Sequence, residues 1–255
     1  MQAPDALRAQ LEEYLLALEL SPYLHGQAES VRYAVSGGKR VRGVLCLATA
    51  EAAGARVADA LPAAAALEFV HAFSLVHDDL PGLDDDAERR GRPSVWAEFG
   101  EGVAVLAGDA LLAEAFRLAL VYESPAVARE LAQATLGMIG GQYLDISGSD
   151  VDLAELHRLK TGRLFAAAVG LGLRVAGVPE SEQVAWRVFS EELGLLFQVV
   201  DDVLDGDGYA VTLGAAEARA FAAEVAERSR ARLAAIDADT AVLDDLVDGL
   251  AVRTA

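Results

Sequence analysis

Apolar positions recur along this chain with helical spacing. Leu7, Leu11, Tyr14, Leu15 and Leu18 mark one face of a first helix. Ser21-Pro22 opens a second, which runs toward Ser36-Gly37-Gly38. Residues 41–53 read as a buried third helix, broken at Gly54. Leu61-Pro62 starts a fourth, which should stop near Pro81. Further helices are predicted over 108–122, 125–139, 153–175, 181–204, 213–236 and 240–250. Runs of β-branched residues with period-2 alternation are absent, as are Ser/Gly linkers, low-complexity blocks and a clean internal repeat. The pattern predicts one all-α domain over residues 1–255, a large helical bundle. Several of its helices are apolar on nearly all sides and therefore central.

Composition narrows the class. Apolar residues make up 53 % of the chain, so a generous core is expected. No apolar run reaches the ~18 residues of a membrane helix; the nearest, 165–178, is interrupted by Arg174. The charged, amphipathic N-terminus has no signal-peptide pattern. Cys46, the single cysteine, has no intrachain disulfide partner, and a cytoplasmic location is the simplest expectation. A net charge of −19 argues against nucleic acid as a partner. Against that acidic average, the chain uses arginine almost throughout: only Lys39 and Lys160 of its 21 basic residues are lysines, and each sits beside glycine. Lysine supplies a compact charge with rotatable donors that a planar guanidinium does not replace.

Two acidic clusters carry the candidate chemistry. In the segment 75–96, LVHDDLPGLDDDAERRGRPSVW, six acids fall between Asp78 and Glu88. His71, Ser74 and Asp78 share a face of the fourth helix. Far along the chain, FQVVDDVLD at 197–205 places Gln198, Asp201, Asp202 and Asp205 on one stripe of a helix whose remaining residues are apolar. Desolvating unpaired carboxylates costs several kcal/mol or more each, and a multivalent cation removes that cost. Oxygen-only donors favour Mg²⁺, which keeps waters and takes one or two carboxylates plus substrate phosphates. Two such clusters facing each other could hold several Mg²⁺ ions with a diphosphate between them. Other metal and phosphate patterns fail. DGDGYAVTLGAA, from Asp205, has Tyr209, Ala210 and Ala216 where a calcium loop needs other residues, and neither zinc spacing nor a P-loop occurs. Arginines and lysines following glycine turns (Lys39, Arg42; Arg89, Arg90; Lys160) offer phosphate ligands for a second anionic site.

In order and spacing, GGKRVR (37–42), FVHAFSLVHDDLPGLDDDAERRGRP (69–93), LAGD (106–109), GGQYLD (140–145), LKTG (159–162) and FQVVDDVLD (197–205) resemble the trans-isoprenyl diphosphate synthases, or polyprenyl synthetases, of the farnesyl diphosphate synthase-like kind. The resemblance implies an isoprenoid synthase fold, a bundle around a central substrate cavity, and a homodimer. It implies that Lys39, Arg42, His71 and Arg90 bind isopentenyl diphosphate. Asp78, Asp79, Asp84, Asp201, Asp202 and Asp205 would hold Mg²⁺, about three ions with substrate bound, on an allylic diphosphate lined by Arg89, Lys160, Thr161 and Gln198. The implied reaction is a head-to-tail condensation: ionisation of the allylic diphosphate, attack by the isopentenyl double bond, and loss of a proton. Gln198 and a backbone carbonyl near Thr161 would face the cation. Phe73, five residues before Asp78, and Ser74 would sit at the base of the cavity and limit chain growth, with a C15 product expected first and C20 second.

The chain also departs from the family pattern. Gly43 replaces the usual proline after GGKRVR. After Asp205 roughly twenty residues and two diphosphate-gripping lysines are missing, with Tyr209 and Leu213-Gly214 matching only the end of that segment. Arg253 near the C-terminus is a further candidate cover for the isopentenyl site. A class I terpene cyclase and a catalytically weakened regulatory subunit of a heteromeric prenyl synthase remain alternatives. DDVLD together with GGKRVR favours condensation over cyclisation; the missing lysines motivate the regulatory subunit, and the two intact aspartate motifs oppose it.

Overall fold

The computed structural model describes residues 1–148 and 151–252; Arg253 lies outside them. Helices fill it: α1 (Pro4–Ala17), α2 (Ala28–Val35), α3 (Val41–Ala52), α4 (Val57–Asp78), α5 (Val95–Phe99), α6 (Glu101–Ala119), α7 (Ala126–Ile146), α8 (Leu153–His157), α9 (Arg163–Val175), α10 (Val184–Asp205), α11 (Gly208–Leu213), α12 (Ala215–Leu233) and α13 (Ala241–Ala251). Among the described residues, the one β element is a two-stranded hairpin, Glu88–Arg89 with Arg92–Pro93. The all-α expectation holds.

α4 is the central helix and packs on α3, α6 and α9. From Ala63 to Leu67 it is fully buried on every side, and small residues there let its neighbours approach closely. By length and composition α4 could cross a membrane, contrary to the reading that no segment could. Two-thirds of that apolar stretch is buried inside the bundle, so it serves as a core helix.

Several boundaries differ from the sequence reading. α7 runs on to Ile146 rather than stopping at Ile139, and the second helix is divided at His25, whose φ is +47°. α4 begins at Val57, so Pro62 lies inside it rather than at its start. Proline removes a helix hydrogen bond and crowds the preceding turn. Tyr122 repairs the gap: its hydroxyl accepts from Ala63 N at 3.1 Å and donates to Asp59 O at 2.8 Å, bridging two backbone groups that an unbroken helix would pair directly. α6 begins before Gly108, because the interruption falls at Gly100, whose φ is +88°. The long helix expected over 153–175 is broken by a π-helical turn, Arg158–Gly162. The helix expected over 213–236 is divided at Gly214, φ +89°.

Candidate active site

The first acidic cluster is shaped by a tight turn at the end of α4. Asp84 N donates to Asp78 O at 2.9 Å and Asp86 N to Asp79 O at 3.1 Å, which folds the loop back so that Asp84 stands beside Asp78. The hairpin then turns through Arg90 and Gly91, both with positive φ. It carries two cations in different directions. Arg89 reaches back and pairs with Asp79, with Nε at 2.9 Å. Arg90 reaches across to the α2–α3 loop and donates to Gly37 O at 3.1 Å. Gly38 makes that possible, since a Cβ there would lie 2.9 Å from the Arg90 guanidinium carbon.

A cleft of about 670 Å³ opens there, lined by Lys39, Arg42, His71, Arg89, Arg90 and Asp201 among others. Here the structure brings together the four residues expected to hold the isopentenyl diphosphate. Arg42 lies over the rings of Phe165 and Phe197, 4.8 and 5.4 Å from their centroids, with Nη1 3.4 Å from His71 Nε2. Burial, reinforced by Arg42, Arg90, Arg40 and Arg89, pushes His71 well below its ordinary range, so the imidazole is neutral. Arg40, within the same motif, does something else: it is buried and bound to Glu12, Glu68 and Val35 O. Glu68 also accepts from Gly43 N at 2.8 Å, and a Cβ at Gly43 would lie 2.3 Å from Leu11. Position 43 therefore needs both the small residue and the N–H that a proline would lack.

Beside the cleft lies a cavity of about 380 Å³. Its polar lining is Asp78, Asp201, Lys160, Thr161, Arg42 and Ser74; Phe73, Leu164, Met138 and Ile139 form its apolar walls. Burial raises Asp78 to about 6; Lys160 opposes the shift while Asp84 and Asp79 add to it. Lys160 Nζ binds Asp145 Oδ2 at 2.5 Å. It stands on the π-helical turn, which adds a residue to the helix and swings Lys160 and Thr161 into the cavity.

The six aspartates divide into three kinds. Asp78 and Asp201 line the cavity and Asp84 adjoins Asp78. Asp79 and Asp202 are turned into the protein. Asp79 is nearly fully buried against Arg89, and burial raises its carboxyl. Asp202, equally buried, accepts from Gln198 Nε2 at 2.6 Å and from Tyr209 N at 2.8 Å, with His157 Nδ1 3.8 Å away. It thus caps α11 and fixes the Gln198 carboxamide. Asp205 is exposed at the end of α10. No three His, Cys, Asp or Glu side chains among the described residues form a ready-made metal cage. That donor set fits a cation of the Mg²⁺ kind, which takes few carboxylates and completes its shell with water and phosphate oxygens.

Two residues of GGQYLD carry weight that the sequence reading did not assign. Asp145 holds the Lys160 ammonium. Gln142 lines the cavity with both polar atoms of its amide buried and without a partner in the protein. The motif was visible as a string; its partners were not.

Comparison with known proteins agrees. The polyprenyl synthetase family model matches residues 27–218. A dimethylallyltranstransferase from Fischerella ambigua is 35 % identical over 98 % of this chain and 84 % of its own length. That alignment runs to 291 positions against a chain of 255, so the relative carries residues that this chain lacks. A geranylgeranyl diphosphate synthase from Cyanophora paradoxa is 45 % identical over 69 % of this chain, which spans 64 % of that protein. Among solved structures, a geranyltransferase from Legionella pneumophila superposes with a TM-score of 0.82 at 31 % identity, covering 98 % of this chain and 94 % of its own. An FPP/GFPP synthase from Zymomonas mobilis superposes at 0.81 and 29 % identity, covering 98 % of each. Motifs that the fold draws around one cavity, and a family match over most of the same residues, lead to one conclusion: this chain belongs to the polyprenyl synthetase family.

Proposed function

We propose that the chain is a Mg²⁺-dependent prenyltransferase that condenses isopentenyl diphosphate head-to-tail with an allylic diphosphate, giving a C15 product in preference to C20. The observation that carries this reading is the adjacency of two anion sites: a cationic cleft with Lys39, Arg42, His71 and Arg90, and a cavity with carboxylates and apolar walls.

Asp78, Asp84 and Asp201 would hold Mg²⁺, which neutralises charge on the allylic diphosphate as it departs. Lys160 and Thr161 take up the same charge from the π-helical turn. The allylic C–O bond breaks and its electron pair leaves with the diphosphate. Apolar walls exclude water from the cation that remains. Gln198, whose amide nitrogen Asp202 occupies, is not among the residues lining the cavity, contrary to the expectation from the sequence. The cationic cleft holds the isopentenyl diphosphate so that its double bond attacks the cation; a proton then leaves the new unit, with the released diphosphate as base. Phe73, in the apolar wall, favours the shorter product.

A homodimer fits this reading, since Leu106 of α6 and Leu136 of α7 expose large apolar side chains away from the cavity lining. The test is incubation of the purified protein with Mg²⁺, isopentenyl diphosphate and C5, C10 or C15 allylic diphosphate. A linear C15 product supports the reading. A cyclic hydrocarbon from an allylic diphosphate alone would favour a cyclase. No product without a second subunit would favour a regulatory role.

A further inference from the structure

Phe73 does not stand alone in the apolar wall of the cavity. His77, one turn along α4, meets it edge to face, with centroids 5.0 Å apart and rings inclined at 70°. His77 is held in turn by α6. Its Nε2 lies 3.1 Å from Val105 O, the geometry of an N–H donating to that carbonyl. The ring presses on Gly108 so closely that a Cβ there would lie 2.1 Å from Nε2. Both Phe73 and His77 line the cavity.

We infer that His77, seated on Gly108, is a positioning residue for product length: it props the Phe73 ring across the cavity and sets where chain growth stops. The inference rests on the prenyl-transfer reading. The imidazole is held between Gly108 on one side and the Phe73 ring on the other, so a shift of His77 is passed on to Phe73. Without the imidazole, Phe73 can turn into the vacated volume and the cavity deepens. With a methyl group at position 108, the imidazole must move off α6 toward Phe73 and the cavity shortens. This also gives the LAGD segment a physical task, since its glycine is the seat.

The test is the product distribution, which a loss of stability alone would not shift in a set direction. His77→Ala should raise the ratio of C20 to C15 product several-fold, in the same direction as Phe73→Ala. His77→Gln, which keeps a donor for Val105 O but no ring, should do the same if His77→Ala folds poorly. Gly108→Ala should shift product toward C10, and should have no effect on length in the His77→Ala background, where nothing remains to be displaced. Active His77 variants with an unchanged distribution would overturn the inference while leaving the prenyl-transfer reading in place. If the unsubstituted protein forms no product, the activity reading fails. Length preference is then read from affinities for unreactive C10, C15 and C20 thiolodiphosphates, and an unaltered C20-to-C15 affinity ratio in His77→Ala overturns the inference.

Discussion

Gly141 of α7 lies directly against the backbone of Lys160: a Cβ at position 141 would sit 2.5 Å from the Lys160 nitrogen and 2.8 Å from its Cα. Four residues on, Asp145 binds the Lys160 ammonium. Two motifs 15 residues apart in sequence are thus one device, a glycine that admits the π-helical turn and a carboxylate that receives its lysine. Backbone cannot yield as a flexible side chain can. Gly141→Ala should therefore cost about 1–3 kcal/mol by overpacking and raise KM for the allylic diphosphate. Thermal melts and steady-state kinetics check both; an unchanged KM would separate the glycine from the lysine.

The division of the second acidic motif predicts that its neighbouring aspartates behave differently. Asp202→Asn sets an amide donor against either Gln198 Nε2 or Tyr209 N and should cost about 1–3 kcal/mol. α11 should loosen, and proteases should cut more readily around 206–214. Mg²⁺ affinity, measured by calorimetry with an unreactive allylic analogue, should hold. Asp201→Asn should do the reverse, weakening Mg²⁺ binding with little change in melting temperature. A tenfold loss of Mg²⁺ affinity in Asp202→Asn would return that carboxylate to the metal.

Asp78 predicts a pH dependence. Its carboxyl is raised from 3.8 to about 6 in the folded chain. Between those values the folded state binds more protons than the unfolded one, so this group's contribution to stability falls as pH rises from about 4 to about 6 and is level above that. Mg²⁺ needs the ionised carboxylate. The rise in melting temperature on adding Mg²⁺ and an unreactive allylic analogue should be small at pH 5 and full at pH 7. Asp78→Asn should flatten that profile; an equal rise at both pH values in the unsubstituted protein contradicts the assignment.

Tyr122 is expected to matter for stability alone. Tyr122→Phe leaves Ala63 N and Asp59 O without the hydroxyl that bridges them, at a cost of about 1–3 kcal/mol. Tyr122 lines neither the cavity nor the cleft, so KM for both diphosphates should be unchanged in enzyme below its melting temperature. A variant as stable as the parent would mean that the kink at Pro62 closes without help.

Helices, motifs and the order of the acidic and cationic clusters were legible in the sequence because they are local. Apolar spacing of about 3.6 residues reports a helix wherever it forms, and the density of carboxylates within an apolar helix pointed to a cation. Sequence also flagged the oddity of Gly43, though not its reason, which is the buried Glu68 some 25 residues away. What only the tertiary structure decided was direction and partnership. Asp201 and Asp202 are adjacent and chemically identical, yet one lines the cavity and the other caps α11, because successive helical side chains point about 100° apart and the neighbour on each side differs. The π-helical turn was likewise invisible: its extra residue is accommodated by Gly141 on another helix, a contact that no local pattern encodes.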